Sequence, residues 1–166
     1  MTTQQIFGLQ VLLSFVLFTL IARWYVSPRL APLPVDRALQ PLLVLHATRH
    51  MGLVFLVPTV VGGTLPTAFA AAAAYGDLLA GVLALAALVA LRARSRVAIP
   101  LTWLFNVAGL LDLVNAFYQG LTHDVQLGAA YYIPTFIVPA LVVTHVMMFG
   151  LLLRHPAPAR LDLPAS

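Results

Sequence analysis

The sequence contains no cysteine, no lysine and no glutamate among its 166 residues. Without cysteine the chain can form no disulfide, no zinc–cysteine site, no iron–sulfur cluster and no thiol nucleophile. Its acids are all aspartate and its bases are all arginine, and the formal net charge of +4 is a small sum. A net charge of this size does not indicate a nucleic-acid partner.

Charged residues of either sign are scarce. They make up 8% of the chain, against 61% hydrophobic residues, whereas a soluble domain carries about 25% charged residues. Apolar stretches of roughly 20 residues, the length that crosses a hydrocarbon core of about 30 Å, recur along almost the whole sequence. The sequence therefore predicts an all-α integral membrane protein, a single domain over residues 1–166, whose surface contacts the lipid bilayer.

Five apolar segments are long enough to be transmembrane helices. They cover residues 6–26, 42–61, 68–91, 98–119 and 128–153. The N-terminal MTTQQ lacks the basic region and the cleavage site of a signal peptide, so the first helix is expected to be retained. Prolines that favour an extended linker follow the first segment: Pro28, Pro32, Pro34 and Pro41. The proline-rich tail, residues 154–166, is expected to be disordered.

Arginines in the short loops give the predicted orientation, because cytoplasmic loops carry the excess of basic residues. Five spans place the following arginines on one side: Arg23, Arg29, Arg37, Arg92, Arg94, Arg96, Arg154 and Arg160. The opposite loops, GGTLP and GLTHDVQLG, contain no arginine. We therefore expect a protein of the bacterial cytoplasmic membrane with its N-terminus outside and its C-terminus in the cytoplasm.

Polar residues inside the spans fall at two depths. His50, Asn106 and His145 each lie eight residues from the cytoplasmic end of their spans, which a rise of 1.5 Å per residue converts to roughly 12 Å. Asp77 and Asp112 lie about 14 residues in, or roughly 21 Å. The polar residues of each span are also expected to share one face of its helix; His46 and His50, for example, are four residues apart. These faces predict a bundle around a polar centre.

The cost of burying charge predicts how these residues pair. An arginine or aspartate at the centre of a membrane helix costs about 2.5–3.5 kcal/mol, so Arg49 is expected to pair with Asp77 or Asp112. One arginine then leaves one aspartate without a partner, and this aspartate is expected to be neutral and able to exchange a proton. The candidate catalytic residues are Asp77, Asp112 and His145. The candidate ligand-binding residues are His46, Arg49, His50, Asn106, Asn115 and Tyr131.

The stretch LHATRHMGL, residues 45–53, allows a second interpretation. The helix could begin near Met51, with the stretch before it lying at the cytoplasmic interface. Against this, a span that begins at Met51 would have to pass through Pro58, Gly62 and Pro66, which is a poor helix. His123, Asp124 and His155 lie outside the spans and are expected to be solvated residues without a function.

Three functional hypotheses fit this pattern, and the sequence does not settle whether the protein is an enzyme. The first is a buried polar pocket, in the cytoplasmic half and the midplane, for a small amphipathic or isoprenoid-like ligand, with acid–base chemistry. The second is a b-type haem protein with His50 (or His46) and His145 as axial ligands; the absence of cysteine excludes covalent c-type attachment. The third is a structural or assembly subunit of a membrane complex, an oligomer or a partner of other subunits, whose polar residues lock helices together.

Overall fold

The computed structural model describes residues 1–122 and 127–154, without the side chain of Leu121. This part of the chain is helical and contains no strand, which confirms the all-α prediction. The α-helices are α1 (Thr3–Ile21), α2 (Ser27–Leu30), α3 (Val35–Ala47), α4 (Pro58–Val61), α5 (Thr67–Arg92), α6 (Ala98–Thr122) and α7 (Val138–Leu152). Short π-helical turns, Ala22–Val26 and Ile133–Ile137, and 3-10 helices, Thr48–Leu56 and Gly128–Tyr131, connect some of them.

Four helices within the described ranges are long and apolar enough to cross a membrane, not the five predicted. They are Thr3–Leu30, Thr67–Arg92, Ala98–Gly120 and Gly128–Leu152. The chain is therefore a multi-pass helical membrane protein. The second predicted span, residues 42–61, is not among the four, because no continuous helix covers it.

The second apolar segment is divided into three pieces. α3 ends at Ala47, the 3-10 helix Thr48–Leu56 follows, and α4 begins at Pro58. Pro58 has no N–H to donate to the preceding turn, and Gly62 ends α4 with a positive φ of 74°, a conformation that glycine adopts without strain. Breakers at both ends of α4 thus prevent one long helix.

The proline-containing segment after the first span is not an extended linker, contrary to the prediction. Pro28 lies in the first turn of α2 and Pro41 lies inside α3. A proline leaves the carbonyl four residues earlier without its helical donor, and for Pro41 that carbonyl belongs to Arg37, an exposed residue. Water at the exposed end of α3 can satisfy this carbonyl, so the helix tolerates Pro41.

The divided segment packs along the full length of α5 and antiparallel to it. Gly81 lies against the backbone of Ala47 and His50, whereas Gly52 lies against Asp77. Two apolar clusters fill the two ends of the bundle. One contains Leu30, Leu39, Leu91, Ala98 and Leu152, and the other contains Phe55, Val61, Phe69, Ala73 and Ala130. The arginines of the described loops lie next to the first cluster, at one end of the bundle.

Candidate functional site

Arg49 lies in the interior of the bundle. Arg49 is 3% exposed and bonded to Asp77, which lies well inside α5; this favours residues 45–53 as part of the bundle over the interpretation of an interfacial segment. The 3-10 helix explains this position, because it has three residues per turn and aligns every third side chain. Arg49, Gly52 and Phe55 are accordingly its buried residues.

The same change of period turns His50 outward. The prediction that His46 and His50 share a face assumed an α-helix, but α3 ends at Ala47. His46 is fully buried, whereas His50 is exposed. The His50 Nδ1–H donates to the carbonyl of Ala47 over 3.0 Å, and the hydroxyl of Thr48 donates to the carbonyl of Leu45 over 2.6 Å. Both side chains therefore donate to carbonyls of the last turn of α3, where the α-helix changes to the 3-10 helix.

Arg49 holds both aspartates at once, and each of them is partly buried. Its Nε–H donates to Asp77 Oδ1 over 2.7 Å and an Nη2–H donates to Asp112 Oδ2 over 2.5 Å. An Nη1–H donates to the carbonyl of Gly109 over 2.9 Å. The expectation that one aspartate has no partner is therefore wrong, since one guanidinium has enough donors for two carboxylates. We call Arg49, Asp77 and Asp112 the charge triad; it joins the 3-10 helix to α5 and α6.

The charge triad holds one positive and two negative groups when both aspartates are ionised. The side chains of Asp77 and Asp112 are 13% and 17% exposed, against 1% for Arg49. Each carboxylate has one oxygen bonded to Arg49, and within the described ranges the other oxygen accepts no hydrogen bond. The triad can therefore take up a proton or a donor group from outside.

Glycines make the space for this arrangement. A Cβ at Gly52 would collide with the carboxylate of Asp77, and a Cβ at Gly76 would collide with that of Asp112. Gly109 leaves room for the Arg49 guanidinium on one side and the His145 ring on the other, at 3.0 Å each from the position of a Cβ. Backbone approaches of this kind are what small residues provide between membrane helices.

A pair of buried histidines lies beside the charge triad. The rings of His46 and His145 are 4.1 Å apart between centroids, and Phe105 contacts both rings. His145 Nδ1–H donates to Asn106 Oδ1 over 2.7 Å. The hydroxyl of Thr144 donates to carbonyls of its own helix and accepts from His46 Nε2 over 3.0 Å.

These contacts fix which nitrogens of the pair are bare. His46 Nδ1 and His145 Nε2 are buried and have no hydrogen-bond partner in the described part of the chain. Because the other nitrogen of each ring donates, each bare nitrogen is a potential acceptor of a proton or a hydrogen bond. The histidine pair thus offers two acceptors in the membrane interior.

We expect Asn106 to be essential for this pair. Asn106→Ala removes the acceptor of the buried His145 Nδ1–H, and an unsatisfied buried donor costs about 1–3 kcal/mol of unfolding free energy. Detergent-titrated unfolding would measure the loss. Asn115→Ala is the matched control, because Asn115 is exposed on the same helix; equal losses in both variants would contradict the assignment.

A cavity of about 50 Å³ lies beside Arg49 and Asp77. Thr48, Met51 and Gly52 of the 3-10 helix form one wall. Apolar side chains of α6, of the π-helical turn and of α7 form the rest: Leu113, Ile133, Ile137, Val138 and Leu141. The cavity therefore has a charged end and apolar walls. Asp112, His46 and His145 do not line it.

Several predicted site residues lie away from this cluster. Asn115 is exposed and accepts from Gln119 Nε2 over 3.1 Å. The Tyr131 hydroxyl donates to Gln10 Oε1 over 2.7 Å and so connects the start of the last span to α1. His123, Asp124 and His155 lie outside the described residues, as do Arg160 and the rest of the tail from residue 155.

Sequence reasoning missed Thr144 and Gly52, and it indicated for Gly76 only a role in helix packing. Thr144 directly precedes His145, inside a predicted helix, where a threonine gives no sign of a function. Its hydroxyl can nevertheless donate to a backbone carbonyl and accept from an imidazole at the same time. The glycines had a visible signal, since Gly52 follows the His46–His50 stretch and Gly76 directly precedes Asp77. A small residue next to a buried charge is where a partner helix can approach.

The haem hypothesis receives no support from the described residues. His50 is exposed, whereas His145 is buried. His46 lies against His145 in direct ring contact, which leaves no space between the rings for an iron and its porphyrin. No group of three or more potential metal ligands occurs in the described ranges. Haem binding stays a prediction, to be tested by the absorption spectrum of the purified protein.

Comparison with known proteins identifies a family but no characterised relative. A family model described as a domain of unknown function, DUF8737, matches residues 6–153. No curated protein and no solved structure gives a significant match. The matched range includes the charge triad, the histidine pair and the walls of the cavity. The chain therefore belongs to the DUF8737 family.

Proposed function

We propose that this membrane protein binds the polar head of a small amphipathic, isoprenoid-like molecule at the charge triad and exchanges a proton with it. The observation that carries the proposal is the cavity beside Arg49 and Asp77, with its charged end and its apolar walls. Charged groups inside a membrane protein are costly and usually serve a function. A ligand with a polar head and an apolar body matches both surfaces.

The size of the cavity limits what enters it. A pocket that encloses a whole drug-sized ligand measures about 300–1,000 Å³, whereas this cavity measures about 50 Å³. Only the head of the ligand fits, and its apolar body would lie against Ile133 and Ile137, toward the lipid. A hydroxyl suits the charged end, because it can donate to Asp77 and accept from Arg49.

Asp77 is the proposed proton acceptor. Its Oδ1 is held by Arg49, which leaves Oδ2 for the ligand. Arg49 itself cannot give up its proton; its role is to hold both carboxylates and to balance charge. His145 lies on the far side of Gly109 and does not line the cavity. Its proposed role is therefore to accept a hydrogen bond beside the guanidinium of Arg49, without contacting the ligand.

We also propose that the divided segment crosses the membrane as a fifth, broken span. Two observations support this topology. α3 and the 3-10 helix pack together along α5, and exposed side chains of the 3-10 helix, Met51, Leu53 and Leu56, are apolar, as a surface that faces lipid requires. With five crossings, the described arginines of the loops all lie on the same side of the membrane. By the excess of basic residues this side is the cytoplasm, which places the N-terminus outside.

The ligand proposal is tested with farnesol, an isoprenoid alcohol, and farnesyl methyl ether, which lacks the hydroxyl donor. Farnesol is expected to raise the thermal unfolding midpoint of the protein in detergent, because a ligand that binds only the folded state stabilises it. The ether should have little effect. Asp77→Asn should abolish the response to farnesol, since Arg49 still holds the amide oxygen and the amide NH2 group that replaces Oδ2 cannot accept a hydrogen bond from the hydroxyl.

Asp36→Asn is the charge-matched control for this test. Asp36 lies in the first turn of α3, away from the cavity beside Arg49, so this variant should respond to farnesol as the parent does. An equal response to the alcohol and the ether, or an unchanged response in Asp77→Asn, would refute the proposal.

A second candidate function is a structural one, in which the charge triad only locks helices for assembly with other subunits. It is favoured by one observation: Arg49 donates to acceptors on two helices while belonging to a third element. This function predicts no response to farnesol in any variant. It also predicts that a variant without the charges of the triad, if it folds, still binds its partner subunits.

A further inference from the structure

A second cavity lies at the arginine-rich end of the bundle, where α3 begins and α5 ends. We propose that it binds a phosphate-bearing headgroup. Its volume is about 370 Å³, and the side chains around it include Arg37, Arg92 and Arg94, together with Asp36, Gln40 and Leu91. The proposal rests on these residues alone and does not depend on the function proposed for the charge triad.

The charge of this cavity suits an anion. Three arginines face one aspartate, and none of the three forms a salt bridge within the described ranges. Arginine presents several N–H donors in a plane and binds phosphate oxygens two at a time. Two unbalanced positive charges are therefore available to a phosphate group.

The backbone at Arg94 provides an independent indication. Its φ is 52°, and it is the single non-glycine residue with a positive φ in the described part of the chain. The N–H of Ser95 donates to the carbonyl of Ala90 over 2.9 Å, so α5 ends in the turn that usually has glycine at this position. An arginine in a glycine position directs its side chain to the cavity at a conformational cost.

The place of the cavity suggests where the phosphate comes from. The first turn of α3 and the last turn of α5 meet at the end of a membrane-spanning helix, which is the level of lipid headgroups. Leu91, a residue of the first apolar cluster, lies at the base of the cavity beside the arginines. Basic pockets between helices at this level are known to bind anionic headgroups. Free phosphate offers the same chemistry without the apolar part.

The test uses the full chain in detergent, stripped of lipid, with phosphatidylglycerol and inorganic phosphate as probes in native mass spectrometry. We expect one phosphatidylglycerol to bind, and Arg37→Gln with Arg94→Gln to weaken this binding by about tenfold or more. Excess inorganic phosphate that displaces the lipid would identify the phosphate group as the shared determinant. Binding of inorganic phosphate alone would assign the site to free phosphate.

Arg96→Gln with Arg154→Gln is the matched control, because both arginines are exposed and neither lines the cavity. It removes the same charge and should change the affinity by less than about twofold. Arg94→Gly, alone, accepts the positive φ and so separates loss of the side chain from misfolding. Equal weakening by the two double variants, unchanged affinity in Arg94→Gly, or no binding of either probe would overturn the proposal.

Discussion

Arg49→Met is expected to destabilise the protein more than any other single change at its polar positions. The substitution leaves Asp77 and Asp112 in the bundle without a cation, and removing one partner of a buried ion pair costs about 3–5 kcal/mol. It also removes the hydrogen bond from the guanidinium to the carbonyl of Gly109. We expect a large shift of detergent-titrated unfolding, or protein that cannot be purified in a folded form.

Trp103 provides the signal for this measurement. Its ring lies 5.6 Å from that of Phe149 between centroids, so its fluorescence reports on the packing of α6 against α7. Trp24 is 60% exposed and would add a background from the membrane boundary. Trp24→Phe removes that background and leaves Trp103 as the one tryptophan.

Removing the whole charge triad should be far less damaging than removing Arg49 alone. In the variant with Arg49→Met, Asp77→Asn and Asp112→Asn, no charge is left unpaired, so the large cost of an uncompensated buried charge does not arise. The amides can still hydrogen-bond between helices, worth about 0.6 kcal/mol each. If the triple variant proved as unstable as Arg49→Met, or Arg49→Met as stable as the parent, the pairing would not be the source of the effect. A stable triple variant that no longer responds to farnesol would separate ligand binding from folding.

The class of the protein and the meeting of Arg49 with the aspartates could be predicted from the sequence. Both follow from the cost of charge in a membrane, which does not depend on details of the backbone. The directions of the His46 and His50 side chains could not be predicted, because they depend on the number of residues per turn of the helix. The residues that follow this stretch are almost all hydrophobic. Their pattern therefore does not distinguish an α-helix, with 3.6 residues per turn, from a 3-10 helix, with three.

That Arg49 binds both aspartates at once could not be predicted from the sequence. Counting charges suggests one partner for one arginine, whereas the guanidinium donates along two edges. Whether both edges are used depends on how closely three backbones approach. That approach is decided by Gly52 and Gly76, whose contacts with the carboxylates appear only in three dimensions. The same applies to Pro41, whose effect on α3 depends on the exposure of the Arg37 carbonyl.

Gly52→Ala and Gly76→Ala are expected to have the next largest effects. A methyl group at position 52 collides with the carboxylate of Asp77, and one at position 76 collides with that of Asp112. Neither carboxylate can move away without losing its bond to Arg49, so overpacking, which typically costs about 1–3 kcal/mol, adds to a weakened ion pair. We expect each variant to lose at least about 2 kcal/mol of unfolding free energy, measured from Trp103 fluorescence as above.

Other glycines of the membrane helices supply the comparison. A Cβ at Gly8 or at Gly150 meets nothing within 4 Å, and alanine stabilises a helix interior by roughly 0.5–1 kcal/mol relative to glycine. Gly8→Ala and Gly150→Ala should therefore be neutral or stabilising.

The collision itself is tested by Gly76→Ala in an Asp112→Ala background, where the colliding oxygens are absent. There the methyl group should cost little, because Arg49 keeps Asp77 and the space beside α5 is free. A full loss from Gly76→Ala in that background would mean that the backbone approach of α5 to α6, rather than the position of the carboxylate, requires the glycine.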